Sequence, residues 1–284
     1  MPLPEALTSL EGLSVGDAFG AQFFVPGTSP ATLTPGPPPW PWTDDTQMAC
    51  LVTAELRDRG EIVQEHLAAA FAEHCDPYRG YGPGAITILR LLRDGVPWRE
   101  AATSAFGGGS LGNGAAMRVA PLGAFFADDP AAVVEQATRS AEVTHAHPEG
   151  IDGAVAVALA AARPDAVFEA VLDGLRPGAI RDAVALAETL LGRSPEEAVH
   201  HLGNGSRPTA LTSVPLVLWI AATHAHDYRA AIGACVRAGG DVDTTAAMVG
   251  GIVRAPIPPE WLEAREPLPQ DLRNSLLPNH TSGS

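Results

Sequence analysis

Two short acidic runs carry the residues best placed to do chemistry. The first is Trp42-Thr43-Asp44-Asp45-Thr46, two adjacent carboxylates between hydroxyls, where a proline-rich stretch runs into a helical pattern. Asp and Thr at a helix start serve ordinarily as N-caps. That explains one such residue, but not an Asp pair flanked by Thr on both sides. The second is Gly239-Gly240-Asp241-Val242-Asp243-Thr244, also before a helical pattern. The glycine pair permits a sharp turn and close backbone approach. In an extended segment Asp241 and Asp243 would point the same way; the plainer alternative is a helix capped by Asp243 or Thr244. If the runs meet in space they bring together four carboxylates, which cannot share a site without cations. All donors are hard oxygens, which selects magnesium, manganese or calcium over zinc. Four carboxylates suit two divalent ions, able to orient a water or a diol and stabilise developing charge.

A third run, Phe106 to Gly114, contains Gly107-x-Gly109-x-x-Gly112, with Asp128 about twenty residues on. The dinucleotide fingerprint fails because Glu100 to Ala105 reads as helix and not as a buried strand. No Gly-Lys-Ser/Thr follows, so a Walker loop fails too. What survives is a loop whose bare N–H groups can cradle phosphate, weighed against a merely flexible loop. His145-x-His147, His200-His201 and His224-x-His226 have neither H-E-x-x-H spacing nor a cysteine partner. A single histidine facing a ligand fits them better than zinc.

The elements that must position these residues read as helical. Alanine is abundant, no segment sustains period-2 alternation, and helical periodicity with strong helix formers recurs. The expected helices are Gln47–Arg59, Ile62–His74, Ala85–Asp94, Ala131–Val143, Ile151–Ala162, Asp165–Leu175, Ala179–Leu191, Pro195–Leu202, Val214–His224, Tyr228–Ala238 and Thr244–Arg254. The fold class is all-α, a single domain over residues 1–273, with 274–284 as a disordered tail. Val25 to Trp42 reads as an ordered surface loop. A net charge of -15 disfavours non-specific binding to phosphate backbones. Cys50, Cys75 and Cys235 without CxxC spacing, and no secretory signal, read as reduced thiols in a cytoplasmic protein. No stretch is long and apolar enough to span a bilayer, and a monomer is the default state.

With these motifs in chain order, the sequence resembles the ADP-ribosylglycohydrolases, from about Leu10 to about Arg254. The resemblance rests on five blocks: Gly12 to Gly20, Trp42 to Thr46, Gly112-Asn-Gly-Ala-Ala-Met-Arg-Val-Ala-Pro-Leu-Gly123, Thr144-His145, and Gly239 to Thr244. It implies an orthogonal bundle of helices with two magnesium ions, or manganese in their place, in a cleft. By position, Thr43, Asp44, Asp45, Asp241, Asp243 and Thr244 match the metal ligands. Gly109, Ser110, Leu111, Gly112 and Asn113 match the segment that holds diphosphate and distal ribose. His145 matches a cleft residue, and Phe106 lies near an aromatic that stacks on adenine. Asp45 and Asp243 are the candidates to accept a proton as the anomeric carbon gains oxocarbenium character.

Two departures stand out. Val242 replaces the Thr usual between the two Asp residues of the last block. Serine-specific members carry a catalytic Glu eight residues after the glycine of the Gly-Asp pair, and here that position is Phe24. No acidic residue lies between Asp17 and Asp44. The resemblance therefore implies an ADP-ribosylated protein or small molecule as substrate, with an arginine-type or small-molecule linkage favoured over serine; nucleic-acid-linked ADP-ribose stays open. Two rivals remain: an inactive ADP-ribose-binding or structural relative, and a metal-dependent nucleotide phosphohydrolase.

Overall fold

The computed structural model describes residues 2–272; the expected tail at 274–284 lies outside them. The chain forms helices α1 (Leu3–Ala21), α2 (Asp44–Arg59), α3 (Gln64–His74), α4 (Pro83–Arg93), α5 (Trp98–Ser104), α6 (Ala120–Phe125), α7 (Pro130–Glu142), α8 (Pro148–Ala162), α9 (Val167–Gly174), α10 (Ala179–Thr189), α11 (Pro195–Leu202), α12 (Ala210–Thr223), α13 (Tyr228–Ala238), α14 (Val242–Ile252) and α15 (Pro259–Ala264). Among the described residues there is no strand, only isolated bridges, and the all-α expectation holds. No helix there is long and apolar enough to cross a membrane. Cys50, Cys75 and Cys235 are free thiols.

α1 was not expected, and it is the centre of the molecule. Leu7, Leu10, Leu13, Val15, Ala18 and Phe19 are buried on several faces, together with Ser9, Ser14 and Asp17. From Gly12 to Gly20 every residue is buried, and a stretch buried all round shows no apolar stripe, so periodicity missed it. Gly12, Gly16 and Gly20, four residues apart, lie along one face against α14. A Cβ at Gly12 would stand 2.1 Å from the carbonyl oxygen of Gly250, and one at Gly16 2.1 Å from that of Ala246. The two backbones touch, and Ser9 Oγ reinforces the contact by donating to Gly251 O at 2.6 Å. Since α1 carries Asp17 and α14 carries Asp243, this packing sets the distance between the acidic runs.

The proline-rich segment 25–42 is largely exposed but anchored at its end by buried Trp40 and Trp42. Trp40 N–H donates to Ala264 O at 2.7 Å, and Glu266 N–H to Trp40 O at 2.8 Å. The chain beyond α15 thus holds the segment that leads into Thr43.

Candidate active site

The N-terminus of α2 is the first wall. Thr43 is its N-cap, and its Oγ1 accepts weakly from Asp45 N–H at 3.4 Å. Asp44 and Asp45 occupy the first turn, where carboxylates meet the positive end of the helix dipole. The capping role weighed for Thr43 is therefore real but incomplete. The rest of the cap comes from α1: Asp17 Oδ2 accepts from Thr43 N–H (2.9 Å), Thr46 N–H (3.1 Å) and Thr46 Oγ1 (2.6 Å), and Oδ1 from Thr43 Oγ1 (2.8 Å). Sequence reading placed Asp17 in a motif without giving it a role. A single Asp inside a helix carries no local signal of its partners.

The N-terminus of α14 is the second wall. The helix begins at Val242, so Asp241 is the N-cap and Asp243 is already helical. This corrects the extended geometry expected for the pair: the turn at Gly239 and Gly240, both at positive φ, finishes sooner. It also corrects the expected cap, since neither Asp243 nor Thr244 occupies that position. Asp241 makes no side-chain cap bond; its Oδ2 accepts from Asn113 Nδ2 at 2.6 Å. The turn is held by Asn204, whose carbonyl accepts from Asp241 N–H at 3.2 Å and whose Nδ2 donates to Ala238 O at 2.8 Å. A Cβ on Gly240 would stand 2.1 Å from Asn204 O, so the glycine is required there.

Segment 203–209, unmarked by sequence reading, forms the third wall with the glycine loop. Asn113 N–H donates to Pro208 O (3.2 Å) and Ala210 N–H to Leu111 O (3.0 Å), around a bridge between Gly112 and Thr209. Gly112 N–H is taken by Ser110 Oγ at 3.1 Å. Gly112 and Asn113 thus spend their N–H groups inside the protein, which narrows the expected phosphate cradle to the stretch before them. Gly109 is buried, with its Cβ position 2.5 Å from Ala146 Cβ. It packs beneath the loop and does not line the cleft.

These walls enclose a cleft of about 570 Å³. Asp44, Asp241, Asp243 and Thr244 line it, as do Phe106, Ser110, Leu111, Gly112, Asn113 and His145. Phe106 is 70% exposed at positive φ, over Gly84. Thr43 and Asp45 stand behind the lining, and Asp45 is only 1% exposed.

Electrostatics shows that the two acidic runs meet. Burial pushes Asp17 up to about 6 against its four hydrogen bonds. Burial, then the charges of Asp17 and Asp241, push Asp44 up to about 7. Asp45 is raised strongly by burial, then by Asp17, Asp243, Asp44 and Asp241. Asp243 is raised by burial, then Asp241, Asp17 and Asp44, and Asp241 by burial. Five carboxylates crowd at and just beneath the floor, and no arginine offsets the shift of any of them. Among the described residues no three His, Cys, Asp or Glu side chains already stand in a metal-holding arrangement. The donor set nonetheless fits hard divalent cations. The atoms are carboxylate and hydroxyl oxygens, and Asp45 Oδ1 is buried without any hydrogen-bond partner.

Arg79 steadies the approach to this floor. Its guanidinium lies 3.5 Å over the Trp42 ring, donates to Trp42 O (2.9 Å), and grips Glu266 through two bonds of 2.7 and 2.8 Å. Lysine cannot reproduce that planar fork. Arg79→Lys is expected to cost about 1–2 kcal/mol, seen as a lower melting temperature, and to weaken whatever binds at Thr43 and Asp44.

Comparison with known proteins identifies the family. The family described as ADP-ribosylglycohydrolase matches residues 4–280. ADP-ribosylhydrolase ARH3 of Gallus gallus is 32% identical over 83% of this chain and 77% of its own. An uncharacterised protein of Archaeoglobus fulgidus is 32% identical over 78% of this chain and 74% of its own. A solved structure, an ADP-ribosylglycohydrolase-related protein complex, superposes with a TM-score of 0.67 at 27% identity, over 97% of this chain and 95% of that one. On the strength of a match along nearly its whole length, carried by an all-helical fold, the chain belongs to the ADP-ribosylglycohydrolase family of glycosidic-bond hydrolases.

Proposed function

We propose that the protein is a magnesium-dependent ADP-ribosylhydrolase that frees ADP-ribose from an arginine-type or small-molecule linkage. The observation that carries this reading is the convergence of Asp17, Asp44, Asp45, Asp241 and Asp243 on the floor of a cleft walled by the glycine loop. Thr43, Asp44, Asp45, Asp241, Asp243 and Thr244 would hold two magnesium ions, which when bound supply Lewis acidity and offset the clustered charge. Asp243 lines the cleft and Asp45 does not. Of the two candidate bases, Asp243 is therefore the one placed to take a proton from the attacking water, while Asp45 supports the floor from beneath. The surrounding carboxylates favour positive charge at the anomeric carbon as the bond to the leaving group lengthens. Phe24, 58% exposed where serine-specific relatives carry Glu, supports the preference against serine.

Release of free ADP-ribose from arginine-, serine- and nucleic-acid-linked substrates, with magnesium or EDTA, tests the reading. Release from the arginine or small-molecule linkage, lost in EDTA, is expected. Asp243→Ala is expected to lower turnover at least about 1000-fold with the fold retained; near-normal turnover would remove Asp243 from the mechanism. Binding of ADP-ribose without release from any substrate would favour an inactive relative, and release of phosphate or AMP a phosphohydrolase.

A further inference from the structure

Arg118 is 1% exposed and, among the described residues, forms no ion pair. It sits 4.6 Å over the Phe71 ring, and Nη2 donates to Ser140 O (2.7 Å) and to Thr144 Oγ1 (3.0 Å). Burial pulls it down to about 9, still charged at neutral pH. An arginine kept in the protein interior without a carboxylate is costly, and the bonds it makes lead to the cleft.

Thr144, 3% exposed, lies between Arg118 and His145, with Oγ1 2.8 Å from His145 Nδ1. Arg118 can only donate, so Thr144 Oγ1 accepts from it. If His145 Nδ1 also donated to Thr144, the hydroxyl hydrogen would be buried with no acceptor at hand. The satisfied arrangement has Thr144 donating to Nδ1. His145 is held neutral by burial and by the nearby Arg118 charge, at about 3. Its one ring hydrogen therefore sits on Nε2. That nitrogen is 3.6 Å from the Cβ position of Gly112 and 3.5 Å from that of Gly114, in the wall of the cleft.

We propose that Arg118 and Thr144 are positioning residues that fix His145 as the neutral Nε2–H tautomer, so that it offers a permanent hydrogen-bond donor to an oxygen of ADP-ribose in the cleft. This rests on the reading of the cleft as an ADP-ribose site. The chain Arg118, Thr144, His145 passes direction, not charge: a buried cation decides which ring nitrogen carries the hydrogen.

The test begins with the free protein, ¹⁵N-labelled at histidine, with the His145 signals assigned by their loss in His145→Gln. Long-range ¹H–¹⁵N spectra distinguish the tautomers, and Nε2–H is expected. Thr144→Val keeps the shape and removes the hydroxyl. It is expected to mix the tautomers and weaken ADP-ribose binding about tenfold by calorimetry, while Thr144→Ser restores both. An Nδ1–H wild type, or Thr144→Val leaving tautomer and affinity unchanged, overturns the proposal. The wild-type spectrum decides the tautomer even if Thr144→Val folds poorly. A wild type that is Nε2–H but binds no ADP-ribose overturns the donor role through failure of the cleft reading, distinguishable from a failure of the relay.

Discussion

Asp45→Asn is expected to raise the melting temperature in EDTA while abolishing ADP-ribose release. Asp45 is sealed from water, has one oxygen without any partner, and faces four other carboxylates. In the metal-free protein its charge is opposed by burial and by its neighbours; asparagine keeps the shape and drops the charge. The gain should be several degrees at pH 8, at about 2–4 °C per kcal/mol for a chain of this size. The pH dependence follows in sign. Asp17 and Asp44 ionise near 3.8 when unfolded but near 6 and 7 when folded. The stability they lend is full below about 4 and is lost as pH rises through 6 and 7. Metal-free protein should therefore melt higher at pH 5 than at pH 8, with magnesium narrowing the gap in the wild type and not in Asp45→Asn. A melting temperature that falls on Asp45→Asn in EDTA would show that the cluster is not under charge strain. Thermal melts with and without magnesium, paired with product analysis, decide the matter.

Gly16→Ala carries the largest expected loss of stability. In an open helix this change would gain about 0.5–1 kcal/mol. Here the added Cβ would lie 2.1 Å from Ala246 O and 2.8 Å from its carbonyl carbon. Both are backbone atoms of α14, so no side chain can swing aside and the helices must separate. The expected cost is about 3 kcal/mol or more, a drop of roughly 6–12 °C. Gly82→Ala, whose Cβ would meet nothing within 4 Å, should be nearly silent for stability. Activity should fall further than stability predicts, because α1 and α14 carry Asp17 and Asp243. Normal unfolding temperature in Gly16→Ala would mean that the helices are not in backbone contact.

The contrast between Asp44 and Asp17 shows what the sequence discloses. Asp44 and Asp45 announce themselves by local density, as do Asp241 and Asp243, and most helices with an exposed face were readable within a few residues; Pro195–Leu202 and Tyr228–Ala238 matched, while the short α15 was not expected. Asp17 and Arg118 act through partners 22 or more positions away, which no window contains. α1 lacked periodicity because its second half, Gly12 to Gly20, has no wet side. α12 was expected from Val214 but starts at Ala210, because Thr209 caps it and Pro215 sits inside it. Segment 203–209 gained its role only by lying against Gly112 and Asp241. The acidic runs were legible as local chemistry; the apparatus that brings them together is a matter of long-range packing.

The union of α1 with α14 also has a bearing on biosynthesis. Ser9 and Gly251, bonded in the native protein, are 242 residues apart, so at ordinary elongation rates α1 leaves the ribosome on the order of ten seconds or more before its partner exists. Through that interval the face of α1 that meets α14 lacks its native cover, which makes the nascent chain a natural client for chaperones. Catalytic competence is then acquired only once α14 has been made and closes on α1.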